Sequence, residues 1–207
     1  TRDEAKYRLL KQMFGYILFV RNTLQKFFIL KGDGGNGKST CMHCIEAILG
    51  KENTTSLQLS RLSSEFDPIL LKHSRVNLCY DANSSIADAQ ESLKAIIGGD
   101  AITAAHKGVD AESFTTNAKF IVSANKFFSA NDVTKGLMRR MLFIAFNNSF
   151  DPEIKGEAVE DEIMKDLPGL FNFAYEGYKD LKSSGAFCET EEQAALLEEF
   201  KEQLSPL

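Results

Sequence analysis

The chain lacks any long apolar run. Its longest apolar stretches, at residues 27–30 and 141–146 of 207, are far shorter than the roughly 20 residues that a helix needs to span a bilayer. It begins at Thr1 and has no charged-then-apolar leader. We therefore expect no membrane segment, no secretory signal and a cytoplasmic location, for a chain cut from something longer.

Cysteine is scarce and poorly placed for a metal site. Cys41 and Cys44 enclose a two-residue spacer that contains His43, but Cys79 stands alone in an apolar run and Cys188 stands alone farther on. A structural zinc site usually needs two such pairs. We expect free, reduced thiols instead.

Net positive charge is also lacking, because the formal charge is −5. This excludes a protein that coats nucleic acid with its whole surface. The distribution is uneven: residues 1–150 contain 19 Lys+Arg and 14 Asp+Glu, whereas residues 151–207 contain 5 and 15. A mildly basic body with an acidic tail still permits local phosphate contacts.

Strand and helix patterns alternate along the first 150 residues. Apolar residues at three- and four-residue steps predict a helix at 2–19. Short apolar runs predict strands at 27–30, 76–80, 119–123 and 141–146, with helices at 39–49 and 86–97. Such alternation is typical of a mostly parallel α/β sheet with helices on both faces.

Two segments depart from this alternation. Small and β-branched residues on either side of 107–110 predict a hairpin within 101–116. The chain after Pro152 is predicted to be helical, with breaks at 168–169 and 183–185. We divide the chain into a helical lead-in (1–25), a sheet-containing core (26–150) and a C-terminal helical appendage (151–207).

The most informative motif lies between the first predicted strand and the next predicted helix. Gly32-Asp33-Gly34-Gly35-Asn36-Gly37-Lys38-Ser39 fits G-x-x-x-x-G-K-[ST] at every fixed position. The glycines let backbone N–H groups surround phosphates, Lys38 supplies a charge for the β- and γ-phosphates, and Ser39 offers a hydroxyl to Mg²⁺. The motif predicts a site for ATP with Mg²⁺.

Polar residues beside later strands are candidates to complete this site. Asp81 follows a predicted strand, where a carboxylate would hold the metal. Asn125 follows the next strand, where its amide could reach the γ-phosphate and the attacking water. Arg139 and Arg140 precede the last strand and are candidates for an arginine finger that acts on a neighbouring subunit.

Taken together, these residues resemble the superfamily 3 helicase domain of phage, plasmid and poxvirus-type primase-helicases, over nearly the whole chain. The shared motifs are the phosphate loop continued to Thr40, F-D-P at Phe66-Asp67-Pro68, a lysine before G-G-D at Lys94 and Gly98-Gly99-Asp100, Lys107 beyond it, Asn125, and Arg139-Arg140.

The resemblance implies an AAA+-like P-loop NTPase core that hydrolyses ATP with Mg²⁺ and assembles as a ring, usually a hexamer. The ring would translocate on single-stranded DNA and unwind forked duplex DNA during replication, in the cytoplasm of a host cell. His106 and Lys107, at the hairpin tip, would contact the DNA. The resemblance also implies fusion to a primase-polymerase domain.

One position departs from the family. A second carboxylate is common two residues beyond the first, where this chain has Asn83, and an amide cannot accept a proton from water as a carboxylate can. Asp81 could act alone, Asp67 or Asp88 could contribute, or hydrolysis could be slow. A non-translocating replication initiator or loader that uses ATP as an assembly switch is therefore the second hypothesis. A small P-loop kinase is the third, although the sequence shows no lid or acceptor site.

Overall fold

A computed structural model describes residues 4–80, 86, 89–127, 133–148, 150 and 156–204. The helices are α1 (Glu4–Tyr16), α2 (Lys38–Leu49), α3 (Gln90–Gly98), α4 (Lys135–Met138), α5 (Gly156–Met164), α6 (Leu167–Ser184) and α7 (Glu191–Leu204). The strands are β1 (Phe27–Lys31), β2 (Thr54–Thr55), β3 (Val76–Cys79), β4 (Ile102–Ala104), β5 (Glu112–Phe114), β6 (Lys119–Ala124) and β7 (Met141–Ala145). Short 3₁₀ segments occur at Lys51–Asn53, Leu59–Ser63 and Asp67–Leu71.

Five strands form one parallel sheet in the order β2-β3-β6-β1-β7. Lys31, at the carboxyl end of β1, lies opposite Ala124 of β6 and Ala145 of β7. The carboxyl ends of these three strands therefore meet at one edge of the sheet. The expected mixed α/β architecture with a mostly parallel sheet is confirmed.

Helices cover both faces of the sheet, and the side chains of β1 alternate between two apolar clusters. Phe28 and Leu30 pack in the cluster that contains buried residues of α1, α2 and α6. Phe27 and Ile29 pack in the cluster that contains residues of α3, α4 and α7, including the fully buried Phe200. Because helices cover both faces, side chains on both sides of these strands are buried and apolar. Burial of each such side chain contributes about 1.5–3 kcal/mol to the free energy of unfolding.

Helices α1 and α6 approach each other backbone to backbone. An added Cβ at Gly177 would lie 1.8 Å from the carbonyl oxygen of Lys11, and one at Gly15 would lie 2.1 Å from the backbone nitrogen of Tyr178. Only glycine permits this separation at the crossing. The first helix of the chain is thereby fixed against the sixth.

Three predicted helix boundaries were wrong. Helix α1 ends at Tyr16 rather than at residue 19. Helix α3 begins at Gln90 rather than at 86, and Ile86 and Ala89 form a turn before it. Pro168 and Gly169 lie in the first turn of α6, where the missing N–H of proline costs nothing. The Asp166 carboxylate caps this turn by accepting the backbone N–H of Gly169 at 3.0 Å. Among the described residues, no helix is long and apolar enough to cross a membrane.

Candidate functional site

The glycine-rich loop leaves the carboxyl end of β1 and ends in the first turn of α2. Gly35 (φ 71°) and Gly37 (φ 88°) have backbone angles in the region that favours glycine. A Cβ added at Gly34 or Gly35 would meet nothing within 4 Å, so the space over this part of the loop is open. Gly32 is enclosed instead, because a Cβ there would lie 2.3 Å from the carbonyl oxygen of Phe146.

Lys38 is buried beneath the loop. Its ammonium donates hydrogen bonds to the carbonyl oxygens of Gly32 (2.6 Å) and Asp33 (2.7 Å) and to Oδ1 of Asn36 (2.9 Å). Ser39, the next residue, is exposed, and Thr40 follows it in the first turn of α2, where the helix dipole favours anions. The predicted strand, loop and helix are present in the predicted order.

Asn36 has a role that the sequence motif does not reveal. Its Nδ2 donates a 2.6 Å hydrogen bond to the carbonyl oxygen of Phe146, the residue after β7. The backbone N–H of Phe146 in turn donates to the carbonyl oxygen of Lys31 at 2.7 Å. The loop is therefore tied to the strand that follows α4 in the chain.

The structure brings Asn125 next to the loop. Asn125 follows β6, and the N–H of Gly32 donates to the carbonyl oxygen of the preceding Ala124 at 3.2 Å. Lys31 holds this turn from the other side: its ammonium donates to the carbonyl oxygen of Asn125 at 2.8 Å and lies 5.1 Å from the ring centroid of Phe127. Sequence reasoning missed Lys31, since a lysine that ends an apolar strand is typical of a solvated strand end.

The predicted metal carboxylate, Asp81, lies outside the described residues, as do Asn83 and Asp88. Strand β3 ends two residues earlier and pairs with β6, with Cys79 opposite Val122. Its carboxyl end therefore points to the edge of the sheet that carries the loop.

Asp67, the alternative acid, is held in a separate network. Its carboxylate accepts a hydrogen bond from Ser64 Oγ (2.6 Å) and forms an ion pair with Arg61 Nε (2.8 Å). The 3₁₀ segment that begins at Asp67 packs against the hairpin through Ile69, which lies in a small apolar cluster with Phe114. The structure does not bring Asp67 together with the loop.

Arg139 and Arg140 lie at the opposite edge of the sheet. They precede Met141, which pairs with Phe27 at the amino end of β1. Arg140 is bound within its own chain, because Nη1 donates to the carbonyl oxygen of Gly136 at 2.8 Å, and burial and the charge of Arg139 lower its pKa. The side chain of Arg139 is exposed.

The predicted hairpin is present as antiparallel β4 and β5, with Ala104 opposite Glu112. The strand pair next to the tip is anchored by a 2.6 Å ion pair between Lys72 and Glu112, and this contact lowers the pKa of Glu112, with His106 acting in the same direction. His106 and Lys107 are exposed at the tip. The hairpin is thus fixed beside its tip, and the tip exposes His106 and Lys107 together with Asp110.

Comparison with known proteins identifies the family of the chain. Residues 30–140, more than half of the 207, match DUF5906, a family of unknown function. The chain belongs to the DUF5906 family. The matched range runs from the end of β1 through the phosphate loop, the hairpin and Asn125 to Arg140.

Two solved structures resemble this DUF5906 chain. One is the A-form apo structure of the NrS-1 C-terminal region, which is 17% identical with a TM-score of 0.67 over 96% of this chain and 51% of that one. Another is the apo structure of the NrS-1 C-terminal region (305–718), which is 16% identical with a TM-score of 0.67 over 93% of this chain and 47% of that one. The likeness concerns the fold, and the chain spans about half the length of these structures.

Cys41, Cys44, Cys79 and Cys188 of the DUF5906 chain are free thiols. Burial raises the pKa of Cys44 to about 11 and raises that of Cys41 as well, which disfavours the thiolate that metals require. His43, between them, forms a 2.8 Å contact through Nδ1 with Glu160 of α5. Within the described ranges, no group of three or more His, Cys, Asp or Glu residues could hold a metal ion.

Proposed function

We propose that this chain is the ATP-hydrolysing motor of a superfamily 3 type DNA helicase, with a P-loop NTPase core of the AAA+ kind. The observation that carries the proposal is the phosphate loop: a complete motif between β1 and α2, with Lys38 buried beneath it and Asn125 beside it. Fold likeness to the NrS-1 C-terminal region supports the architecture.

The loop is suited to ATP and Mg²⁺. Gly34 and Gly35 leave open space above backbone that can donate to phosphate oxygens, and Lys38 can exchange its carbonyl acceptors for the β- and γ-phosphates. Ser39 and Asp81 would hold Mg²⁺, which neutralises charge on the phosphates when it is bound. Asn125 would orient the attacking water.

The two arginines point to a shared site in a ring, for which a hexamer is our expectation. Neither can serve the loop of its own chain, because they lie at the amino edge of the sheet and the loop lies at the carboxyl edge. Arg140 is bound to Gly136 within its own chain, whereas Arg139 is exposed. We therefore assign the trans-acting arginine finger to Arg139, a role worth on the order of 10³ or more in rate.

The hairpin tip supplies the DNA contact in this proposal. In a ring, Lys107 and His106 would be repeated around a channel, and a collar of lysines could hold the phosphates of single-stranded or forked DNA despite a net charge of −5 per chain. Fusion to a primase-polymerase domain and action in a host cytoplasm during replication complete the proposal.

Asn83 favours a second function, a non-translocating initiator or loader that binds ATP as an assembly switch. The two hypotheses differ in turnover. A motor should show sustained ATPase that single-stranded DNA stimulates, whereas a switch should bind ATP, assemble and hydrolyse it slowly regardless of DNA.

The phosphate loop is tested by Lys38→Ala. Loss of charge-assisted bonds, each worth about 1.5–3 kcal/mol, should weaken ATP·Mg²⁺ binding by tenfold or more in calorimetric titration. Lys51→Ala, at an exposed lysine beyond the end of α2, is the matched control and should bind as wild type does. Circular dichroism verifies the fold of both variants. Wild-type affinity in Lys38→Ala would refute the assignment.

A further inference from the structure

Phe150 places an aromatic ring beside the phosphate loop. Its Cε2 lies 3.4 Å from the position that a Cβ on Gly37 would occupy, so the edge of the ring lies beside the Gly37 backbone. The residue is nevertheless 53% exposed. Among the ring pairs of the described residues, none involves Phe150, so no other described ring stacks on it and much of its surface faces solvent.

The position of this ring distinguishes it from other exposed apolar residues. Scattered surface aromatics are ordinary in folded proteins and need no explanation. Phe150, however, lies where the chain continues from β7, and β7 is tied to the loop by the bond from Asn36 to Phe146. Phe150 therefore follows by four residues the position at which the chain after β7 is bonded to the loop.

We propose that Phe150 is the stacking platform for the base of the bound nucleotide. The inference rests on the proposed function of the loop as a phosphate site. With phosphates held at Gly37 and Lys38, the base must lie a ribose away from the loop, and an exposed ring beside Gly37 offers it an apolar face. Base–aromatic stacking tolerates any base, because every base has a π-face.

The alternative is that Phe150 covers the loop whenever no phosphate is bound. A cover would compete with the phosphates and would be displaced on binding, so its removal should strengthen binding of any polyphosphate. A platform would contribute only when a base is present. The two roles therefore predict opposite changes, and a ligand without a base separates them.

The experiment compares ATP with inorganic tripolyphosphate, each with Mg²⁺, by calorimetric titration of wild type, Phe150→Ala and Phe150→Trp. Phe150→Ala should weaken ATP binding about tenfold and leave tripolyphosphate binding unchanged, and Phe150→Trp should retain ATP affinity. Phe171→Ala is the matched control, because Phe171 is 46% exposed on α6, and it should leave both ligands unaffected.

Three outcomes would overturn the inference. Equal ATP affinity in Phe150→Ala and wild type would remove the ring from the base site. Tighter binding of both ligands to Phe150→Ala would identify a cover. Wild-type protein that binds tripolyphosphate as tightly as ATP would keep the phosphate loop and refute the platform, whereas wild-type protein that binds neither ligand would refute the proposed function itself.

Discussion

Replacement of Gly177 by alanine tests the contact between α1 and α6. The new Cβ would lie 1.8 Å from the carbonyl oxygen of Lys11 and 2.5 Å from its carbonyl carbon, and real Cβ contacts do not fall below 3.0 Å. Both obstructing atoms belong to backbone, so no side-chain rotation relieves the clash. The two helices must move apart by more than 1 Å.

The magnitude follows from two opposing effects. Overpacking of a well-packed contact costs typically 1–3 kcal/mol, and a backbone clash belongs near the upper value. Alanine in a helix interior is favoured over glycine by about 1 kcal/mol, which offsets part of that cost. Separation also strains the Arg8–Asp180 pair, whose two hydrogen bonds are 2.8 and 2.7 Å long. We expect a net loss of about 2 kcal/mol, roughly 4–8 °C in Tm.

Thermal melting followed by circular dichroism measures this loss. The matched control is Gly136→Ala in α4, where the nearest atom to an added Cβ is Cδ of Lys94 at 3.8 Å, so the helix propensity of alanine should appear without a clash. Gly136→Ala should melt at or above the wild-type temperature. A Tm for Gly177→Ala that equals or exceeds wild type would show that the helices do not cross as closely as described.

Three further predictions concern charged side chains. A mixture of Arg139→Ala protein and Lys38→Ala protein should regain ATPase activity that neither has alone, because the first contributes an intact loop and the second an intact arginine. No recovery of ATPase at any mixing ratio in co-assembled samples would count against a shared site. Lys107→Ala should weaken single-stranded DNA binding for every sequence and reduce the slope of log affinity against log salt concentration by about one. Fluorescence anisotropy across a salt series measures both effects, and a wild-type slope would exclude Lys107 from the DNA contact. Burial lowers the pKa of Lys119 from 10.5 to about 8. Below pH 8 the buried side chain is charged, which lowers the free energy of unfolding. Between pH 8 and 10.5 the folded state loses this proton before the unfolded state does, so the free energy of unfolding rises. Urea unfolding should therefore show wild type gaining up to about 3 kcal/mol relative to Lys119→Met across this range, and a constant difference between the two would contradict the prediction.

Much of the sheet could be predicted from the sequence because its strands are buried on both faces. β1, β3, β6 and β7 are short and mostly apolar, and each was found within one residue of its predicted bounds. β2 could not be found, since two threonines carry no periodicity. The close crossing at Gly15 and Gly177 was also hidden, because glycine in a helical pattern indicates weak helix rather than contact with a distant segment.

The site was predictable only as far as its motif extends. The glycine loop is recognisable from its local spacing, so the positions of Lys38 and Ser39 at the start of α2 could be predicted. The bonds from Asn36 to Phe146 and from Lys31 to Asn125 join residues about a hundred positions apart, and no local pattern encodes such pairs. The different surroundings of Arg139 and Arg140 likewise depend on Gly136 and on the packing of α4, not on their own sequence.

Because β6 and β1 are parallel, the amino edge and the carboxyl edge of the sheet are separated by the length of a strand. Six residues of β6 span roughly 17 Å at about 3.3 Å per residue, well beyond the roughly 10 Å within which substitutions interact directly. The hairpin leads into the amino end of β6, whereas the loop is bonded to the carboxyl end of β6, so changes at the loop and in the hairpin should combine additively in their effect on unfolding. A double-mutant cycle between Lys38 and Lys107 can also be measured on the free energy of ligand binding. A non-zero coupling energy in that cycle would then show that the two sites are coupled through the protein and not by direct contact.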